Sequence, residues 1–221
     1  MLNDQEIKCS EQRSRAAGRM TGEERREQLI RAATAIFSQK GFSGATTKEI
    51  AAKACVNEAL IFRHFEGKDA LYEAVIAERF AGLRADSRCD ELKHAAESRN
   101  DHGVFRSAGE MVMHRYRSER DIIRILIYGI LENRTTLVDR FERELSPLGD
   151  FLVDYIKQRQ DEGVFLEMEP QPLVFGFFGM VTHHATVGEL IGKQEKLSDA
   201  KEALDLYASI ILKSLRISHD Q

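Results

Sequence analysis

Polar and basic side chains cluster between residues 46 and 68, where they could form hydrogen bonds to a polyanion. Thr47 and Lys48 lie near the start of the segment TTKEIAAKAC, and Arg63 and Lys68 lie within and just after the segment NEALIFRHF. Backbone N–H groups at a helix N-terminus bind phosphate, and an arginine side chain can form two hydrogen bonds to guanine. These residue types therefore indicate recognition of nucleic acid.

The two segments are predicted to form short helices joined by a tight turn. Thr46 is followed three residues later by Glu49, which is the pattern of a capping box, and Asn57 is a favourable N-cap for the second helix. Ile61 and Phe65 then fall on its inward face. This arrangement matches a helix-turn-helix, whose second helix enters the major groove of DNA. An ordinary αα-hairpin has the same spacing, so spacing alone leaves both interpretations open.

Hydrophobic periodicity predicts an all-α fold of about nine helices, because no segment shows the alternation that is typical of a strand. The predicted helices span residues 23–41, 46–55, 57–65, 68–88, 104–117, 121–133, 136–163, 173–191 and 199–216. Residues 88–102 are expected to form a polar connection. Ser146 and Pro147 are expected to break or kink the longest helix.

Two domains are predicted after a mobile tail at residues 1–22. Residues 23–70 would form a three-helix DNA-binding domain with its helix-turn-helix at 46–65, and residues 71–221 would form a larger helical domain. Arginines in the tail could compensate charge along DNA, but a solvated tail is the favoured interpretation.

Composition excludes several classes of protein. The 221 residues are 43% hydrophobic and 31% charged, which is typical of an ordered globular chain. Apolar runs of about ten residues are too short to cross a bilayer, which needs roughly 20. The net charge is −4, but residues 1–70 carry 12 Lys and Arg against 10 Asp and Glu, so nucleic-acid contacts are expected near the N-terminus.

Catalytic and metal-binding patterns are missing from the sequence. It contains no Gly-rich phosphate loop, nucleophile elbow or His-Glu-x-x-His motif. His183 and His184 would point about 100° apart on a helix, and neither has a further ligand three or four residues away. The three cysteines are far apart and odd in number, which fits a reducing cytoplasm. The chain is predicted to be a cytoplasmic protein without enzyme activity, cofactor or metal.

The stretch from Arg25 to Ala74 resembles the N-terminal domain of the tetracycline-repressor (TetR) family of bacterial transcription regulators. The matching residues are AATAIFSQKGFSGATTKEIAAKACV followed by IFRHFEGKDALYEAV. They include the Gly-Phe pair after the first helix, the Thr-Thr opening and the aromatic-x-x-Phe ending. The remaining 150 or so residues fit the family only by their length and helix pattern.

The resemblance implies which residues contact DNA. It assigns the start of the first helix of the helix-turn-helix, residues 46–48, to contacts with the DNA backbone. It assigns residues 57–60, at the start of the second helix, to the major groove, and the remaining residues to phosphates or base edges. In order along the chain these residues are Thr46, Thr47, Lys48, Asn57, Glu58, Ala59, Leu60, Phe62, Arg63, His64 and Lys68.

Three residues depart from the family pattern. Cys55 replaces the usual turn glycine, and a small packed thiol is favoured there over a redox switch. Phe62 replaces a tyrosine and so lacks a hydroxyl for phosphate. Glu58 places a negative charge near the phosphates, yet a glutamate can accept a hydrogen bond from cytosine N4. We hypothesise that Glu58 lowers the general affinity for DNA and increases the discrimination between DNA sequences.

The resemblance also implies that the larger domain binds an effector and forms a homodimer. The regulator would repress by binding a pseudo-palindromic operator and release it when a small, hydrophobic effector binds. Candidate pocket residues are Phe105, Met111, Tyr116, Arg124, Tyr128, Phe175, Phe178, His183 and His184. Candidate dimer residues, on the last two helices, are Gly176, Gly179, Gly188, Leu204, Tyr207, Ile211 and Leu215.

Other interpretations remain open at this point. The apolar stripe on the last helix would also arise from packing within one protomer. Arg124 could form an internal salt bridge instead of binding an acidic ligand. A regulator controlled by a protein partner or by redox chemistry is an alternative to effector control, and a helical enzyme of unrecognised type is a weaker one.

Overall fold

The structure, a computed structural model, describes residues 20–81, 88–193 and 199–216. This part of the chain is all-α, as the sequence predicts, and its ten α-helices are numbered here in chain order. They are α1 Gly22–Gly44, α2 Thr47–Lys53, α3 Ala59–His64, α4 Lys68–Ala81, α5 Arg88–Glu97, α6 Asp101–Ser118, α7 Arg120–Leu131, α8 Thr135–Asp161, α9 Pro170–Ala185 and α10 Ala200–Leu215. A π-helical segment, Thr186–Leu190, follows α9 directly.

One local prediction is wrong, and tertiary packing explains the difference. The predicted connection at 88–102 contains helix α5, whose buried apolar face consists of only Leu92 and Ala95. Such a short face gives little periodicity, and packing on α6 supplies the stability instead. Helix α8 continues through Pro147 without a break. The predicted end of α4 at residue 88 is the first residue of α5, and residues 82–87 between the two helices lie outside the described residues. Most of the predicted tail, residues 1–19, also lies outside them.

The described residues form two compact units that are not continuous in sequence. The first unit lies within Met1–Leu83 and Asp121–Val138, and the second lies within Arg84–Arg120 and Asp139–Gln221. Helix α7 therefore belongs with α1 to α4, although a division at residue 70 would assign it to the other domain. None of the described helices is long and apolar enough to span a bilayer.

The first unit is built on helix α1, whose regular part is interrupted at Gly41, where the sequence predicts its end. Its N-cap is Thr21, which forms a capping box with Glu24. The helix buries Leu29 and Phe37 completely. Contacts with α2 and α4 complete this core, which also contains the fully buried residues Ile50, Ile61, Leu71, Tyr72, Val75 and Ile76.

The second unit is organised around helix α6, which packs against α5, α9 and α10. The rings of Phe105 and Phe177 meet edge to face with their centroids 5.5 Å apart. A Cβ atom on Gly109 would lie 2.5 Å from Leu204 Cδ2, so α6 and α10 approach closely at this glycine. This core is almost wholly apolar.

One buried ionic group links α6 to α8 within the second unit. Asp101 Oδ1 accepts hydrogen bonds from the Tyr155 hydroxyl at 2.6 Å and from Arg159 Nε at 2.8 Å. Arg159 also pairs with Glu162. Burial, together with the hydrogen bond to Asp101, raises the pKa of Tyr155, so its hydroxyl stays protonated and donates. The group should stabilise the unit only while all its members are present.

We expect Asp101→Ala to lower the free energy of unfolding by about 3 kcal/mol, because it leaves the guanidinium of Arg159 buried without its main partner. The Arg159 side chain is only 10% exposed. Urea unfolding followed by circular dichroism measures the change.

The matched control is Arg31→Ala, which breaks an ion pair with Glu27 whose side chains are 59% and 50% exposed. Its effect should stay within about 0.5 kcal/mol. Equal losses in the two variants would show that the buried group contributes no more than a surface pair.

Candidate nucleic-acid interface

Helix α2 begins with the predicted capping box. Thr46 Oγ1 accepts a hydrogen bond from Glu49 N at 3.2 Å, and the Glu49 carboxylate accepts one from Thr46 N at 3.1 Å. Hydrogen bonds from Lys40 and Thr46 hold the pKa of Glu49 below its ordinary value. The box fixes the first turn of α2 and leaves Lys48 exposed at its start.

The turn between α2 and α3 requires a left-handed residue, and Cys55 supplies it with a φ of 56°. Val56 N donates to Ala51 O at 3.0 Å and Cys55 N donates to Ala52 O at 3.1 Å, which together close a Schellman motif. A glycine would adopt this backbone without a Cβ penalty. Cys55 is disulfide-bonded, so the favoured interpretation of a packed free thiol is wrong.

Helix α3 is positioned by a cap and by two inward side chains. Asn57 Oδ1 accepts a hydrogen bond from Ala59 N at 2.8 Å, so Asn57 caps the helix as predicted. Ile61 and Phe65 are buried. On the opposite side Ala59, Phe62 and Arg63 are exposed, and the Phe62 ring is 55% exposed. An apolar ring of this size on a surface helix is suited to contact with thymine methyl groups.

Glu58 does not project freely from the start of α3. Its Oε1 atom accepts a hydrogen bond of 2.5 Å from the Thr47 hydroxyl, which joins the start of α3 to the start of α2. One carboxylate oxygen and the only hydroxyl donor of Thr47 are therefore engaged within the protein. Contact of either side chain with DNA stays a prediction.

Lys68 is also engaged within the protein. Its Nζ atom donates to Phe42 O and to Ala45 O, both at 2.9 Å, and lies 4.2 Å from the centroid of the Phe42 ring. An ammonium has three donors, so one remains available for a phosphate. The main visible role of Lys68 is to hold the connection between α1 and α2.

The resulting face can bind a polyanion and read base edges. Lys48 and Arg63 are its exposed cations, whereas Leu60 and His64 are half-buried. The N-terminus of α2 adds backbone N–H groups.

Two predicted pocket residues lie in this unit instead, on helix α7. Arg124 Nε donates to Ser38 O at 2.8 Å, and the Tyr128 hydroxyl donates to Gln39 O at 2.9 Å. Both bind carbonyls in the last regular turn of α1, so the structure corrects their assignment to a pocket. Arg124 is exposed to solvent, so its charge requires neither an acidic ligand nor a salt bridge.

The remaining pocket candidates belong to the second unit and differ in environment. Phe105 is fully buried in the core, and Met111, Tyr116 and Phe178 pack against it. Phe175 is 82% exposed and therefore lines no interior cavity.

The neighbouring histidines also differ from each other. His184 is buried with its Nδ1 atom 3.1 Å from the Tyr207 hydroxyl, and burial lowers its pKa. His183 is exposed. The sequence signal common to these candidates was hydrophobic or aromatic character, which does not distinguish a core from a pocket.

The candidate dimer residues also include both buried and exposed side chains. Leu204, Ile211 and Leu215 are at most 4% exposed in the core of their own unit, and Gly188 is also buried. These four residues cannot form a free surface, so the alternative of packing within one protomer is correct for them. Gly176 and Gly179 are exposed, and Tyr207 is half-buried.

Comparisons with known proteins agree with this geometry. Residues 29–75 match the family described as bacterial regulatory proteins, tetR family. The chain is 27% identical over 192 residues to the uncharacterized HTH-type transcriptional regulator YvkB of Bacillus subtilis (strain 168), and the match covers 80% of this chain and 93% of YvkB.

Solved structures show the same fold over nearly the whole chain. HlyIIR, a hemolysin II transcriptional regulator, has a TM-score of 0.58 at 20% identity and covers 90% of this chain and 100% of its own. SmeT, the repressor of the Stenotrophomonas maltophilia multidrug efflux pump SmeDEF, has a TM-score of 0.56 at 16% identity, with 88% and 91% covered. The match over residues 29–75 and the helix-turn-helix geometry show that this region is similar to the DNA-binding region of tetR-family regulators, and the comparisons support a DNA-binding transcriptional regulator.

Proposed function

We propose that this regulator is a repressor that binds a pseudo-palindromic operator as a homodimer and releases it when a small, hydrophobic effector binds. It would act in the cytoplasm. The observation that carries the proposal is the capped pair α2 and α3, which exposes Lys48, Phe62 and Arg63 around a preorganised turn. Repression is supported by the description of SmeT as a repressor.

A single helix-turn-helix makes too few contacts for a specific site, so the proposal requires a dimer. Helices α9 and α10 carry exposed residues suited to that contact. Phe175 is 82% exposed, and Leu206 and Ile210 are 57% and 44% exposed. Nothing lies within 4 Å of a Cβ atom built on Gly176 or Gly179, so a partner helix could approach their backbone closely.

The second unit would bind the effector near Phe105, Met111, Tyr116 and Phe178. An effector shifts the regulator only if it binds the released conformation better than the DNA-bound one. Helix α4 is the proposed lever, because it begins at Lys68 beside the turn before α2 and leads along the chain to the second unit.

Redox control is a second candidate, because Cys55 is disulfide-bonded at the turn between the two DNA-reading helices. A change of redox state there would act on the geometry of α2 and α3 directly. Operator binding measured with and without dithiothreitol distinguishes the candidates, since effector control alone leaves it unchanged.

We expect selection from a random DNA pool at about 150 mM salt to enrich a palindrome whose half-site centres lie 34–36 Å apart or a multiple of that, roughly one helical turn. Arg63→Ala should then weaken binding and relax the preference at one base pair by about 1–3 kcal/mol.

Lys48→Ala is the matched comparison, because it removes an exposed cation expected to meet a phosphate. It should weaken binding to all sequences alike and reduce the salt slope by about 1. If no palindrome is enriched, the proposed operator binding is wrong.

Glu58→Gln should tighten binding to random-sequence duplex about threefold or more, because it removes a negative charge close to the phosphates and keeps a side-chain oxygen that can accept from Thr47. It should also reduce discrimination at one position of each half-site. Glu73→Ala, which removes an exposed carboxylate from α4, is the control of equal charge. Uniform tightening with an unchanged base preference would mean that Glu58 carries no sequence information.

Leu206→Asp should convert the dimer to a 25.1 kDa monomer in sedimentation experiments and weaken operator binding. A charge on this surface would have to be desolvated in the dimer. Leu131→Asp is the matched control, because Leu131 is 71% exposed on α7 and should leave the dimer intact. Dimers that persist in the Leu206 variant would exclude this surface as the interface.

A further inference from the structure

Helix α7 presents a stripe of polar side chains to the end of α1. Arg124, Tyr128 and the residue just after the helix, Glu132, are spaced four apart, so they share one side of it. Arg124 and Tyr128 bind the carbonyls of Ser38 and Gln39. Glu132 reaches the chain beyond α1's last regular turn, where its carboxylate accepts hydrogen bonds from Phe42 N at 3.2 Å and Ser43 N at 3.0 Å.

The backbone at this point is shaped to receive Glu132. Gly41 has a φ of 70°, which interrupts α1 and turns the next two N–H groups out of the helix. A Cβ atom built on Gly41 would lie 2.5 Å from Glu132 Oε1 and 2.9 Å from Tyr128 Cδ1. The close approach of α7 therefore depends on a glycine at residue 41.

The same turn is held from its other side by cations. Lys68 Nζ donates to Phe42 O and Ala45 O. The guanidinium of Arg134 lies 3.7 Å from the centroid of the Phe42 ring and pairs with Asp69 at 3.1 Å. The Glu132 carboxylate thus accepts hydrogen bonds from the N–H groups of residues 42 and 43, while the Lys68 ammonium donates to the carbonyls of residues 42 and 45, so the turn has little freedom to change.

This turn leads directly into the DNA-reading helices. Ala45 is followed by Thr46, the N-cap of α2, and then by Thr47 and Lys48. Thr47 in turn bonds Glu58 at the start of α3. A displacement of residues 42–45 would therefore move the start of α2 and with it the exposed Lys48.

We propose that Glu132 is a positioning residue for operator binding, which acts by fixing the turn at residues 42–45 and through it the N-terminus of α2. The inference rests on the proposed DNA-binding function. Under this proposal Glu132 contributes to operator binding although it lies more than 60 positions beyond the helix-turn-helix in the sequence.

The test compares Glu132→Ala with Asp121→Asn, which changes an exposed carboxylate on the same helix. Glu132→Ala leaves two N–H groups without their acceptor, so operator affinity should fall about tenfold or more, whereas the control should keep wild-type affinity. Unchanged affinity in Glu132→Ala overturns the proposal. If that variant does not fold, Glu132→Gln takes its place, because it keeps the shape and one accepting oxygen.

Amide hydrogen exchange separates positioning from general destabilisation. Exchange should accelerate at residues 42–49 in the Glu132 variant and stay unchanged at the buried residues Ile30 and Leu71. Uniform acceleration across the first unit would show a merely structural role and overturn the inference.

The exchange measurement needs no DNA, so it also separates the two claims. If the wild-type protein enriches no operator but the acceleration is confined to residues 42–49, the proposed function fails while the control of α2 by Glu132 stands. If the wild-type protein binds an operator and exchange is unchanged in the variant, the positioning role fails alone.

Discussion

The turn between α1 and α2 is the constraint on which the DNA-reading helices depend. The Glu132 carboxylate accepts its N–H groups and the Lys68 ammonium donates to its carbonyls. Charged hydrogen bonds of this kind are stronger than neutral ones, and they act here on the backbone where the regular part of α1 has ended. The capping box at Thr46 begins one residue later, so the direction of α2 follows from how this turn is held.

Several polar side chains of α2, the turn before α3 and the start of α4 already form hydrogen bonds within the protein. Thr47 binds Glu58, Asn57 binds the backbone of α3, and Lys68 binds the turn before α2. These contacts order the face before it meets DNA, which lowers the entropy that binding must remove. In the proposed operator complex the exposed cations Lys48 and Arg63 would provide the attraction to phosphates.

Part of this organisation was predictable from residues close in sequence. The box formed by Thr46 and Glu49, the cap at Asn57 and the stop at Gly41 were predicted and are present, because each depends on a few neighbouring residues. Helix α5 was missed since its apolar face is very short. The buried side chains of α10 were assigned to a dimer because an apolar stripe has the same appearance whichever surface covers it.

The sequence by itself determined the all-α class, most helix positions and the family that residues 29–75 resemble. Only the tertiary structure decided which partners the polar groups take: Arg124 and Tyr128 bind α1 rather than a ligand, and Glu58 binds Thr47. The physical reason is range. Caps and periodicity act within about four residues along the chain, whereas Tyr128 and Gln39 are separated by 89 positions and meet only after the chain has folded.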